Sequence, residues 1–551
     1  MTSIRHNPRA MQTRPLAAAL ALILAGGIAT DVALATPAPA DAAGHQRYAL
    51  RLQARGLRGL QPPHAAVSPA PVRRGAVLPV TSCLDDDDPG TLRNVLASAS
   101  EGDTVDLGAL TCSTITLTQG AIDTSALGDH QLYDVTLQGP GRDALTIDAA
   151  GQSQVFVVGG FSGDKGTFTA NDLTVANGAY AGSLAACIEG FGGAVVLNRV
   201  TVTGCHASGT YKLLFGGAVD VTTLRMTDST ITNSSVTGTG VHSNAAGGGA
   251  YVSDGATLVR SAISGNSASA PYATYQGYAS VGGGLYSRGD LTLVDSTISG
   301  NFIEATNAGQ DARGGGVYVR GVATLSGSTI DGNIADGDGG GLFKAVFSVY
   351  GDPPPPYDTK LDITDSTISG NSGALGGGVA TSRPLYLANS TIASNTGVGG
   401  GGGVMFVLAG VYDSAGILAT QSSIIATNTV GDAPAFAADL GADDALDVTG
   451  ASNLVVDADA AIVLPADTIA ADPLLLRLAD NGGPTRTRAL DAGSAAIDAG
   501  NNAAALDFDQ RGDGFGRVAG AAADIGAFER QAPDDTIFGD GFDGPPPPRE
   551  P

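Results

Sequence analysis

Residues 247–266 read GGGAYVSDGATLVRSAISGN, residues 282–301 read GGGLYSRGDLTLVDSTISGN, and residues 314–333 read GGGVYVRGVATLSGSTIDGN. The unit recurs in two pieces as GGGLF (339–343) with LDITDSTISGN (361–371), and as GGGVA (376–380) with LYLANSTIASN (385–395). Degenerate copies begin at Gly192, Gly216 and Gly401. Self-similarity at a period of a few tens of residues marks a solenoid. Each unit carries three short extended pieces: after the glycines, around LTL, and around STI. Thr, Val, Ile and Tyr fill them, and Gly, Asn, Asp and Ser separate them. None contains a helix-length pattern of period 3.6. A piece of a few residues does not fold alone, but stacked copies pair in parallel with the coil above and below. The fold class that follows is all-β, a right-handed parallel β-helix rising about 4.8 Å per coil.

Several repeated letters are explained by that architecture alone. Ile231, Ile263, Ile298, Ile330, Ile368 and Ile392 share one position and should stack as an inward ladder. Asn266, Asn301, Asn333, Asn371 and Asn395 share one turn position, where Asn tolerates left-handed backbone and its amide reaches the next Asn along the stack. The glycine triplets supply positive φ and close approach at a corner. Three successive coils carry extra residues between the Asn turn and the next triplet, at 235–246, 267–281 and 302–313. One corner should therefore bear a ledge of adjacent loops. A separate loop with four prolines, 345–360, leaves from another corner.

The flanks differ in composition. Residues 1–35 read as a secretory signal: Arg5, Arg9 and Arg14, an apolar run from Leu16 to Ile28, and a small-residue site at 33–35. Residues 36–80 are rich in Ala, Pro and Arg and read as linker. Residues 81–117 hold a Pro-Gly turn and a helical stretch near 92–100, suited to an N-terminal cap. The β-helix spans 118–471, residues 472–530 form a non-repeat C-terminal cap that closes the stack, and 531–551 is a disordered Pro-rich tail. Of the 551 residues, 80 are Gly and none is Trp; 54 acids against 29 Lys and Arg give a net charge of −25. That balance excludes nucleic acid as a partner, since phosphate binding needs clustered cations. No stretch of the mature chain is apolar enough for a transmembrane segment. Export permits disulfides, and the four Cys pair as Cys83–Cys112 and Cys187–Cys205. The first ties the cap helix to the first strand. In the second, both residues lie at one corner of neighbouring coils, within the roughly 4.4–6.8 Å a disulfide spans.

These motifs carry a resemblance. PGTLRNVLASASEGDTVDL (89–107) resembles the CSLREA-type amino-terminal domain. The middle resembles polymorphic outer-membrane-protein repeats and pectate-lyase-like β-helices. DNGGPTRTRAL, GSAAIDAG, DQRG and DIGAFE, between residues 480 and 529, are similar to choice-of-anchor Q proteins. The resemblance implies an exported or cell-surface bacterial β-helix protein, generally without a defined activity. It lacks the serial alternating strands of a carboxy-terminal β-barrel, which argues against self-insertion.

Catalysis on this fold would need clustered acids beside Arg or Lys. Asp228, Asp295 and Asp365 share one position just before STI, but Arg260 and Gly327 interrupt the column. Asp336 and Asp338 resemble part of a Ca²⁺ loop without its distal acid, and Asp85 to Asp88 form an acidic run better read as a solvated cap loop. No metal or other cofactor is assigned. The mature histidines, His45, His64, His130, His206 and His242, show no zinc spacing. Tyr272, Tyr275 and Tyr278 lie in the longest ledge loop and are the candidate binding residues, for a surface glycan or a protein ligand. The alternative is that they pack down and tie the loop to the stack. The reading is an adhesin-like binding or structural module, secreted or peripheral to the cell envelope, leaning away from an enzyme. The competing reading is a polysaccharide lyase or hydrolase on the same fold, because function resides in sites and not in folds.

Overall fold

The computed structural model describes residues 75–531, apart from 125–133, 160–165, 212, 272–279, 305–311, 345–358, 409–415 and 433–434. The signal, most of the linker and the tail therefore lie outside the described residues. Every pairing between successive coils is parallel, and three stacked sheets line the coils. The first is 21-stranded and carries two columns of strands per coil, following the glycines and around LTL. The second, 12-stranded, runs from Thr114–Thr116 to Leu454–Val455 and holds the STI pieces. The third, nine-stranded, follows the Asn turn from Ala179–Ala181 to Thr429–Val430. The chain is thus an all-β parallel β-helix. The first sheet begins earlier than the composition indicates, because Val77–Pro79 pairs with Thr104–Asp106, and that strand with Thr136–Gln138.

Residues at period two point inward and fill the bore. Ile231, Ile263, Ile298, Ile330, Ile368 and Ile392 are all fully buried and stack in register. At the corner between the first and second sheets, Ser229, Ser261, Ser296, Ser328, Ser366, Ser390 and Ser423 form a second internal column. The amide N of each coil donates to the hydroxyl of the next, and Asn453 ends the series. At the next corner the Asn side chains do the same. Asn301 Nδ2 donates to Asn333 Oδ1 at 2.9 Å and to the Ile263 carbonyl, and its backbone N reaches the same Oδ1. The left-handed residue here is not the Asn but the one before it: Gly265, Gly300, Gly332, Gly370, Ser394 and Thr427 have positive φ. The amide needs an extended residue to aim along the stack, so the turn is made one position earlier. The first glycine of each triplet is required: Gly247 has φ of 69°, and a Cβ there would lie 2.2 Å from the Ala250 carbonyl oxygen.

The N-terminal end is covered by a helix, Leu92–Ser98, whose Thr91 cap accepts from Asn94 N. Leu92, Val95 and Leu96 bury against the first coils. The other end differs from the expectation. Residues 472–530 do not lie over the last coil, where Ile462 and Leu464 pack on the core instead. They lie along the outer face of the second sheet. Thr329, Thr367 and Thr391, outward residues at a position half-buried in earlier coils, are buried beneath this segment. Thr329 Oγ1 donates to the Arg486 carbonyl at 2.7 Å, Thr367 Oγ1 to Gln510 Oε1 at 2.6 Å, and Ala527 N to Thr391 Oγ1 at 3.0 Å. Arg511, held by Asp509, sits 3.9 Å from the ring centroids of both Phe515 and Phe528. The end motifs thus build a polar latch along one flank.

Ile330→Asp should place a carboxylate in the bore with neither water nor a partner. We expect a loss of about 4 kcal/mol, with adjacent coils becoming protease-sensitive, whereas Ile330→Val should cost about 1 kcal/mol. An unchanged melt of Ile330→Asp would contradict the inward register.

Candidate functional site

The acidic corner column resolves into ion pairs. Asp172, Arg199, Asp228, Arg260, Asp295 and Asp365 all have positive φ and occupy the same turn in their coils. Arg199 grips Asp172 through Nε and Nη2, both at 2.6 Å, and Arg260 grips Asp228 through the same two atoms at 2.8 Å. The alternation of signs that interrupts the column is therefore what neutralises it. Asp295 is buried, and burial pushes its carboxyl up to about 7 against the pull of Arg260. Asp365 is buried beneath the latch, with Arg517 Nη1 at 3.7 Å; burial keeps its carboxyl well above the ordinary range. None of the three aspartates stands open beside an unoccupied cation.

The other acidic candidates are likewise structural. Asp85, first of its run, receives Arg93 and the amides of Thr118 and Gln119. Burial raises its carboxyl, but these donors outweigh it and hold the group below its ordinary value. Asp338 lies 3.8 Å from Arg313. His206 Nδ1 meets Ser235 Oγ at 2.9 Å. His45, His64 and His130 lie outside the described residues. Both expected disulfides are present, with Cα separations of 6.3 Å for Cys83–Cys112 and 5.6 Å for Cys187–Cys205.

The ledge is a small parallel sheet of its own: Leu213–Phe215, Asn244–Ala246, Ser280–Val281 and Ala312–Arg313. It covers a file of rings, Tyr251 to Phe343, on the outer face of the first sheet and adds its own Phe215 at the end. Phe215, Tyr251, Tyr286, Tyr318 and Phe343 follow one another with centroids 4.4, 4.9, 5.2 and 5.5 Å apart. Ala246 and Val281 close over them. The signal was present in the sequence, since an aromatic residue recurs two positions after successive glycine triplets. Tyr272, Tyr275 and Tyr278 lie outside the described residues. The exposed side chains Tyr211 and Val241 stand in the ledge loops of the preceding coils.

Register continues this file into an acidic pair: Glu189 pairs with Asp220, and Asp220 with Tyr251. Glu189 is buried and accepts from Ala185 N at 3.0 Å; burial and the neighbouring Asp220 push its carboxyl up to about 9. Burial pushes Asp220 up to about 7. Two adjacent carboxyls that burial keeps protonated above the ordinary range are an arrangement used for proton transfer. Only strand register reveals the pair, because 30 intervening residues follow no repeat spacing.

One further ring stands outside the file. On the adjoining column the outward residues run Thr257, Thr292, Thr324, Asp362, Tyr386 and Ala419. Tyr386 is 41% exposed. Lys360 Nζ lies 5.2 Å from its ring centroid and 2.8 Å from Asp362 Oδ2.

No family model and no curated protein matches the chain, so the family resemblance rests on the quoted motifs. Among solved structures the chain is similar to the crystal structure of pectate lyase Pel9A. Identity is 12%, coverage 83% of this chain and 96% of that one, and the TM-score 0.33.

The buried acids predict a pH dependence. Asp220, Asp295 and Glu529 are each raised to about 7 by burial, so the folded chain holds protons that the unfolded chain releases near pH 4. Their stabilisation is complete below the unfolded value and is lost as pH rises through 7. Lys344, lowered to about 7 by burial, is charged in both states below that and adds no slope there. Melting should therefore be higher at pH 5 than at pH 7. The limit is about 1.4 kcal/mol per pH unit for each fully buried group. Asp295→Asn should flatten the slope.

Proposed function

We propose that this is an exported β-helix protein acting as an adhesin-like binding module, secreted or held at the cell surface. The observation that carries the reading is the fate of the corner column. Asp228 is consumed by Arg260, Asp365 by the latch, and Asp295 by burial. The acids that repeat chemistry offered for cleavage instead hold coils together. Two disulfides suit an oxidising compartment outside the cytoplasm. Among the described residues, no helix is long and apolar enough to cross a membrane. The ledge supports recognition, because long adjacent loops on a rigid scaffold are where contact residues collect. Its partner is a surface glycan or a protein, and no cofactor is invoked.

A second reading has its own observation. Glu189 and Asp220, adjacent by register and both raised by burial, form the kind of carboxyl pair a polysaccharide hydrolase or lyase uses.

Replacing residues 272–279 of the full chain by a short Gly-Ser turn removes Tyr272, Tyr275 and Tyr278 and leaves the flanking strands Ser267–Ser269 and Ser280–Val281 intact. The melt should be unchanged, and binding in a glycan and protein screen should be lost. Release of reducing or unsaturated sugars by wild type, abolished by Glu189→Gln with Asp220→Asn, would instead establish the enzyme.

A further inference from the structure

Several outward positions of the first sheet are accounted for by β-propensity or by packing. Thr257, Thr292 and Thr324 are β-branched residues on a pleated surface. Tyr251, Tyr286, Tyr318 and Phe343 are buried or half-buried in the covered file. Tyr386 is a strand-favouring residue too, but its ring is left uncovered. It takes a position that Thr fills in three earlier coils, has no ring above or below it, and keeps two-fifths of its surface in water.

Its surroundings distinguish it further. Within its own coil, the bend before Tyr386 is short: strand Val379–Thr381 is followed at once by Leu385–Ala388. In the preceding coil the same bend is long, from Lys344 to Leu361, and in the following coil it runs from Phe406 to Gly416. Much of both long connections lies outside the described residues. Of these three coils, the one bearing Tyr386 has the least chain at its bend, between neighbours each about 4.8 Å away along the stack.

Among the described residues, Lys360 and Asp362 are charged groups beside the ring. Lys360 stands over the ring and pairs with Asp362, which presents an ammonium donor beside a carboxylate acceptor. An exposed aromatic ring with an ammonium donor over one side of it and a carboxylate acceptor beside that donor offers the groups a pyranose ring uses. The sugar's C–H face lies on the aromatic, and its hydroxyls both donate and accept. The Lys360–Asp362 pair is locally neutral, and the chain carries a net charge of −25. A polyanionic glycan is disfavoured by that field.

We propose that Tyr386, Lys360 and Asp362 form a saccharide-binding subsite for a neutral, linear glycan. It rests on the reading of the protein as a glycan-binding module and adds a location and a ligand class distinct from the ledge.

The test is calorimetric titration of the full chain with cellohexaose, laminarihexaose, mannohexaose and a polygalacturonate oligomer, alongside the same screen of glycans and proteins. Wild type should bind at least one neutral hexasaccharide and not the polygalacturonate. Tyr386→Ala should weaken that binding tenfold or more, Tyr386→Phe should stay within about twofold, and both should melt like wild type, because the ring is exposed. Neutral-sugar binding that survives Tyr386→Ala overturns the subsite and leaves the binding-module reading in place. So does a screen that finds only protein or anionic ligands. Silence of wild type towards every glycan and protein overturns both.

Discussion

At one corner of every coil from Asn266 to Asn428, a buried amide donates to the carbonyl oxygen of its counterpart in the next coil. The series ends on Asp439, whose carboxylate accepts from Asn428 N and Nδ2 and has no proton to pass on when ionised. A coil must turn three times without leaving a polar backbone group unpaired in a dry bore. The Asn and Ser columns meet that demand by spending each side chain twice, on its own coil and on the next. Register follows, because a slip by one residue would turn these groups outward and the Ile ladder with them. The left-handed residue beside each Asn and Ser exists to aim them.

The same economy explains why so much charge is silent. Arg199 and Arg260 neutralise aspartates that the turn places in a tight column. Arg517, Gln510 and Arg488 bring donors from a segment more than a hundred residues away to finish what the repeats leave open. Buried pairs of this kind cost desolvation, and removing one partner is more harmful than never having had the pair. The latch therefore ties the last coils to residues 485–529 as one unit. Its motifs are better understood as latch contacts than as chemistry.

Recognition, on this scaffold, falls to the places the stack does not use. The ledge sheet sets its own Phe215 against Tyr251, covers the rings of Tyr286, Tyr318 and Phe343 and leaves Tyr211 and Val241 in water, while Tyr386 stands uncovered on the neighbouring column. Glu189 and Asp220 interrupt the aromatic file with two carboxyls that burial makes reluctant to ionise. A repeat protein gains a site by departing from its own pattern, since the pattern itself is occupied by pairing.

The sequence by itself determined the coil. The recurrence of GGG, STI and Asn specified parallel stacking, the inward Ile ladder, the ledge corner and the Cys187–Cys205 disulfide, because these depend on neighbouring copies that share one spacing. It also placed a capping helix at the amino end. Only the tertiary structure decided where the non-repeat end goes. Residues 472–530 have no copy to pair with, so nothing in their spacing shows that Thr329, Thr367 and Thr391 receive them on a flank. Nor could the sequence separate Asp228 from Asp365, identical in motif, since one meets an Arg from the next coil and the other an Arg 152 residues on. Glu189 beside Asp220, and Tyr386 beside Lys360, came from register alone: parallel strands bring together residues whose separation along the chain is set by loop length, which follows no rule the repeat contains.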